Sequence, residues 1–151
     1  MLAGMTQEQT DMENRETCKR IAEEIEKLVD GHYYRCPECG EIMNLDDTEY
    51  NEDTNTYPCP ECKKDMADEN LEPYSLYEYF DDVYDIEYRI DGNRNFRSVQ
   101  IMVAYGGPNI YVDTGSGYVE LYWGGDNAKY ALSYDAIDAI NDVFEELYNC
   151  G

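Results

Sequence analysis

Arg97-Ser98-Val99-Gln100-Ile101-Met102-Val103-Ala104, Gly106-Gly107-Pro108, Asn109-Ile110-Tyr111-Val112-Asp113, Thr114-Gly115-Ser116-Gly117 and Tyr118-Val119-Glu120-Leu121-Tyr122-Trp123 form the run that decides the fold. β-Branched and aromatic residues fill the longer segments, and Gly, Pro, Asn and Asp punctuate them, which is the pattern of short antiparallel strands joined by turns. Apolar residues alternate at the start of 97–103 and then run together, as in a central strand. Thr114–Gly117 turns a hairpin between strands at Asn109–Asp113 and Tyr118–Trp123. Upstream, Asp91-Gly92 joins strands at Asp85–Asp91 and Asn95–Ala104. Downstream, Gly124-Gly125-Asp126-Asn127 turns the chain into a short strand around Lys129–Leu132. The expectation is an antiparallel sheet of about four or five strands.

Helices flank this sheet. Ser133 is placed to cap a helix over 134–148, whose Ile137, Ile140, Phe144 and Leu147 recur at helical spacing. Asp135, Asp138, Asp142, Glu145 and Glu146 occupy its other face. Residues 7–30 read as a second helix, with Cys18, Ile21, Ile25 and Leu28 on one stripe. Thr6 or Thr10 would cap it, Glu23 would pair with Lys27, and Gly31 would end it. The fold class is α+β in three parts: an N-terminal helix (1–31), a cysteine module (32–70) and an acidic α+β domain (71–151) with the C-terminal helix packed on the sheet. Residues 66–77 read as a connector, and no internal repeat is visible.

The cysteine module carries the most specific chemistry. Cys36-Pro37-Glu38-Cys39-Gly40 is followed, after residues 40–58, by Cys59-Pro60-Glu61-Cys62. Two C-x-x-C pairs at this separation fit a closed tetrahedral site. Two residues between cysteines let a tight turn aim both sulfurs at one ion. Four protein ligands leave no open position, so the expected cofactor is a structural Zn²⁺ on Cys36, Cys39, Cys59 and Cys62, with iron as the alternative. Gly40 allows a positive φ after the first knuckle, whereas Lys63 stands at the matching place in the second. Cys18 reads as a buried helix thiol, Cys150 as a frayed terminal residue and His32 as a surface residue. The module resembles a zinc ribbon.

Charge restricts the partners. The 151 residues carry 34 Asp and Glu against 11 Lys and Arg, a formal net charge of −23, together with 16 Tyr. Both halves are strongly acidic, so this is no neutral domain with an acidic tail. Direct binding of nucleic acid or of an anionic membrane is disfavoured, and a basic protein surface is the natural partner. The residues expected to meet it are Asp46, Asp47, Glu49, Glu52 and Asp53 in the loop between the knuckles, with Glu78, Asp81, Asp82, Asp85 and Glu87 in a tyrosine-rich stretch. With no secretory leader and no long apolar segment in view, a cytoplasmic location is expected.

Catalytic motifs offer little. Asp113-Thr114-Gly115 has the form of an aspartic-protease signature, but a strand and then an acidic helix come next in the chain, so it reads as a hairpin turn. Gly115-Ser116-Gly117 precedes a strand, not the helix that a dinucleotide loop requires. A non-enzymatic role is expected.

Acid and tyrosine interleave in Tyr77-Glu78-Tyr79-Phe80-Asp81-Asp82-Val83-Tyr84-Asp85-Ile86-Glu87-Tyr88. With this composition, the segments Ile101–Thr114 and Val119–Trp123 resemble proteins of phages and mobile elements that counter host defence, the acidic antirestriction and anti-CRISPR class. The resemblance covers about the C-terminal half and carries no individual functional residue. It implies an inhibitor that offers a DNA-like field to a basic groove of a nuclease such as Cas9, with or without its guide RNA, inside an infected or lysogenic bacterium. The alternative is an acidic zinc-ribbon adaptor that docks on a basic transcription or nucleic-acid-processing protein.

Overall fold

The structure is a computed structural model and describes residues 7–150. The chain divides into two compact units: Lys27–Tyr79, and the segments on either side of it. The α+β class expected from the sequence is what forms.

In the flanking unit, five strands make an antiparallel sheet in the order β10-β9-β8-β7-β6, every neighbour adjacent in sequence. These are β6 (Asp85–Ile90), β7 (Phe96–Ala104), β8 (Asn109–Asp113), β9 (Tyr118–Trp123) and β10 (Asp126–Ala131). Strand alternation assigns the two faces. Val99, Ile101, Ile110, Val112, Val119 and Leu121 are buried on one face. The other carries Asp85, Glu87, Gln100, Met102, Tyr111 and Glu120, brought side by side by the register Asp85↔Met102, Met102↔Tyr111 and Tyr111↔Glu120.

Two helices meet the apolar face. The first is α1 (Gln7–Asp30) and the last α3 (Tyr134–Cys150). Ile140 and Phe144 of α3 are buried, as expected. Phe144 packs edge-on against Phe80 with ring centroids 5.5 Å apart, and Tyr148 meets Tyr88 of β6 at 5.3 Å. Cys18 of α1 is fully buried and directs its thiol at the Ala128 carbonyl of β10, 3.8 Å away. Burial there pushes the Cys18 thiol up to about 11, so it stays protonated and inert. Arg15 lies over the Tyr130 ring at 5.8 Å. The Ser133 hydroxyl accepts from the Ala136 N–H, the expected cap, and the Ser133 N–H donates to Glu26.

Several local expectations change. Thr10 lies inside α1, so it is no cap, while Thr6 lies outside the described residues. Glu23 turns back to Lys19 at 3.9 Å instead of forward to Lys27, and Arg20 pairs with Glu24 at 3.0 Å. The β6–β7 turn places Arg94, not Gly92, at positive φ (65°). It does so because the Asp91 carboxylate accepts from the backbone N–H groups of Asn93 and Asn95, which fixes a longer loop than Asp-Gly alone would make. The last strand begins at Asp126, since Gly124-Gly125 alone suffices to turn the chain. Cys150 is the final residue of α3.

The other unit, Lys27–Tyr79, is built from very short pieces. They are β1 (Tyr33–Arg35), β2 (Ile42–Asn44), β3 (Thr56–Pro58), β4 (Asp65–Ala67), β5 (Glu72–Pro73) and the single-turn helix α2 (Leu76–Tyr79). The stretch read as a connector contributes β4, β5 and α2. β5 pairs with β1 through Tyr34↔Pro73 and Arg35↔Glu72, making a three-stranded sheet in the order β2-β1-β5.

An internal repeat is present after all. β1, the first knuckle and β2 lead into a 3₁₀ turn at Leu45–Asp47; β3, the second knuckle and β4 lead into one at Asp68–Asn70. A step of 23 residues superposes the two in sequence: Tyr34 on Tyr57, Cys36 on Cys59, Cys39 on Cys62 and Met43 on Met66. Both copies bury the same positions, because Cys36, Met43, Cys59 and Met66 form one small core with Leu71, lined by Tyr34 and Tyr57. The offset is hard to see by eye because only Cys-Pro-Glu-Cys and isolated Tyr and Met residues survive in both halves.

Candidate metal centre

Each knuckle is held by the same two backbone bonds. In the first, the Cys36 N–H donates to the Glu41 carbonyl and the Gly40 N–H to the Cys36 carbonyl, both at 2.8 Å. In the second, the Cys59 N–H donates to Lys64 O at 2.9 Å and the Lys63 N–H to Cys59 O at 3.0 Å. These bonds curl the chain so that both thiols of a pair point the same way. The curl requires a left-handed residue after the second cysteine, and both copies have one: Gly40 at φ 80° and Lys63 at φ 63°. Glycine adopts that conformation freely, whereas lysine must be forced into it. Lys64 also reaches across to Glu38 of the first knuckle, 3.1 Å away.

The four sulfurs of Cys36, Cys39, Cys59 and Cys62 all lie within 4.8 Å of one another. Across the knuckles, Cys36 Sγ is 3.8 Å from Cys62 Sγ and Cys39 Sγ is 3.6 Å from Cys59 Sγ. A tetrahedron with a metal–sulfur bond of about 2.3 Å has edges of about 3.8 Å, and a disulfide would bring two sulfurs to about 2.05 Å. The spacing therefore fits a shared ion and no disulfide. All four cysteines are free.

The acid–base chemistry of the cluster leads to the same conclusion. Burial raises the Cys59 thiol, but N–H groups of Cys62 and Glu61 and the thiols of Cys39 and Cys62 outweigh it and bring Cys59 down to about 7. Cys39 accepts a bond from the Glu41 N–H, which lowers it. Burial and its three sulfur neighbours nevertheless push it up to about 12. A thiolate at Cys59 is favoured while Cys39 is held protonated beside it, the mutual suppression expected of closely packed sulfurs, which a cation among them would relieve. The set is positioned to bind a metal ion and is compatible with Zn²⁺.

The expected partner residues are all exposed, and they divide between the two units. Asp46, Asp47, Glu49, Glu52, Asp53 and Glu78 belong to the metal-site unit, while Asp81, Asp82, Asp85 and Glu87 belong to the sheet unit. Several have local tasks. Asp46 sits 3.4 Å from the exposed His32 imidazole, in line with the surface reading of that histidine. Glu78 accepts from the Ser75 hydroxyl and backbone N–H at the start of α2. Asp85 and Glu87 stand two residues apart on β6, on the open face of the sheet.

Sequence reasoning missed an ion pair on that face between a buried carboxylate and a half-exposed guanidinium. Asp113 is 3% exposed. Its carboxylate takes two bonds from Arg89 of β6, at 2.6 and 2.8 Å, and one each from the N–H groups of Gly115 (2.8 Å) and Ser116 (3.2 Å). Burial raises the Asp113 carboxyl, yet Arg89 and these two turn N–H groups together hold it below the ordinary range. Asp-Thr-Gly here is a turn cap bolted to a guanidinium. Thr114 adds to it, accepting from the Val99 N–H at 2.9 Å. The pairing spans three strands, and no local pattern announces it.

No known protein family, curated protein or solved structure matches this chain. The geometry defines a class: an α+β protein with a four-cysteine metal-binding site on paired knuckles. None of the described helices is long and apolar enough to cross a membrane.

Proposed function

We propose that this protein is a non-enzymatic inhibitor of a nucleic-acid-targeting defence nuclease, most specifically Cas9, and that its ion is a structural Zn²⁺. The supporting observation is a net charge of −23 whose carboxylates are displayed in both units, with every expected partner residue exposed. A basic groove evolved for duplex DNA faces about one phosphate charge per 1.7 Å of axis. A folded polyanion competes for such a groove by giving its Lys and Arg residues the same counterion-releasing contacts. Zinc would hold the acidic loop Asp46–Asp53 in a fixed shape between the two knuckles.

The test is DNA cleavage by Cas9 with its guide, and by restriction enzymes, at increasing protein and at two salt concentrations. Inhibition that weakens steeply with salt is expected. If no nuclease is slowed at large molar excess, the reading fails, and a basic protein captured from the host would favour the adaptor reading.

A further inference from the structure

The open face of the five-stranded sheet is mostly self-satisfied at one end and unsatisfied at the other. Toward one end, Arg89 is seated bidentately on Asp113. Across the sheet, Lys129 Nζ stands 4.4 Å from the centre of the Tyr118 ring. Both ways in which a protein holds a cation, on a carboxylate fork and over an aromatic face, are thus already used by this surface. At the other end lies a hollow of about 410 Å³, lined by Asp85, Glu87, Gln100, Met102, Tyr111 and Tyr122 among others, with no cation in its lining. The size falls within the range of small-ligand sites, about 300–1,000 Å³. Asp85 and Glu87 make no side-chain hydrogen bond or ion pair with another described residue, apart from the longer-range field of Arg89 on Glu87. Tyr111 and Tyr122 stand nearly perpendicular, 6.0 Å apart, and the Tyr122 hydroxyl is fixed by donating to Glu120 at 2.8 Å.

Exposed aromatic rings mark one edge of the sheet. β6 begins, β7 ends and β9 ends at the same edge, where Tyr84 (65% exposed), Tyr105 (70%) and Trp123 (49%) stand clear of the surface. Tyr84 and Tyr105 face each other with centroids 6.3 Å apart. Exposed Tyr and Trp are residue types enriched at interface hot spots, although Trp123, one residue on from Tyr122 in β9, alternates onto the other face of the sheet.

We propose that this hollow is an arginine-binding pocket: the guanidinium of one arginine on a partner protein sits on Asp85 and Glu87 against the rings of Tyr111 and Tyr122. Arginine is favoured over lysine because a planar fork matches two carboxylates and stacks on aromatic faces. This deepens the proposed function, on which it rests, by naming where a basic groove is gripped.

The experiment has two arms on the full metal-loaded chain. In the first, ¹⁵N chemical shifts are followed while Gly-Gly-Arg-Gly-Gly is added, and again with citrulline in place of arginine. Shifts should concentrate at residues 85–87, 100–102, 111 and 122, with a Kd near the millimolar level that suits a single anchor. Citrulline, and the Asp85→Asn/Glu87→Gln variant, should each weaken binding at least fivefold. Asp138→Asn/Asp142→Asn on α3 removes the same charge and should change it less than twofold. Equal binding of the two peptides, shifts spread over all surface carboxylates, or unchanged binding by the Asp85/Glu87 variant overturns the pocket. In the second arm, wild type and that variant are compared as nuclease inhibitors. If wild type inhibits nothing while the peptide still maps to the hollow, the nuclease reading falls and the pocket stands. If both inhibit equally, the pocket falls as the gripping site and the nuclease reading stands.

Discussion

Asp113→Ala is the perturbation whose size can be worked out most fully. The substitution removes an acceptor of four hydrogen bonds, two from Arg89 and two from the turn N–H groups of Gly115 and Ser116. Breaking a fully buried pair costs about 3–5 kcal/mol. The Arg89 side chain is 45% exposed, however, so water recovers much of its half, and the contribution drops toward the surface range of about 0–1 kcal/mol. Gly115 and Ser116 are exposed and can also turn to water. What remains is the lost organisation of the β8–β9 turn and bonds to a charged acceptor, about 2–3 kcal/mol in all. The single tryptophan, Trp123, lies in this sheet and reports its unfolding in urea by fluorescence. The variant should lose that amount at pH 7. The pH dependence has a defined sign. The folded-state carboxyl titrates below its unfolded value, so its stabilisation is fully present above the unfolded pKa of about 3.9 and is lost as pH falls through the folded one. The gap between wild type and variant should therefore narrow below about pH 4. A loss under about 0.5 kcal/mol at pH 7, or a gap that widens with acid, would refute the assignment of Asp113 as a charged structural anchor.

Two further changes probe the frame. Lys63→Gly should stabilise the metal-loaded protein by about 0.5–1 kcal/mol, because it relieves a left-handed lysine at φ 63° that the first repeat fills with Gly40; thermal melting would read it as a small rise in Tm. Phe144→Ala empties a position 1% exposed and packed edge-on against Phe80, and should cost about 3–5 kcal/mol in urea unfolding.

Legibility in the sequence tracked the length of the pattern. Strands β6 to β9 and helices α1 and α3 each repeat a period several times, so their extents were readable to within a residue or two. The metal-site unit was not, because its strands are two or three residues long and no period can establish itself over Tyr33–Arg35 or Glu72–Pro73. Those strands exist because the knuckle bonds and the shared Met43–Met66 core hold them, which is tertiary information. The four cysteines were readable because metal geometry imposes its own spacing on the chain. Arg89 and Asp113 were not, since one lies on β6 and the other on β8, and only the register of β7 between them makes them partners. The open-face hollow escaped for the same reason: Asp85, Gln100, Tyr111 and Tyr122 come from four strands.

The central claim is that a metal ion on Cys36, Cys39, Cys59 and Cys62 holds the Lys27–Tyr79 unit in shape. Structural zinc contributes about 10–16 kcal/mol to the folding of small zinc modules, far more than the core of Met43, Met66 and Leu71 can replace. Amide hydrogen exchange before and after chelation tests this directly. The N–H groups of Cys36, Gly40, Cys59 and Lys63, and the β1–β5 ladders, should lose protection when metal is removed, while β7 and β8 keep theirs. Unchanged protection at those four amides in metal-free protein would contradict the claim.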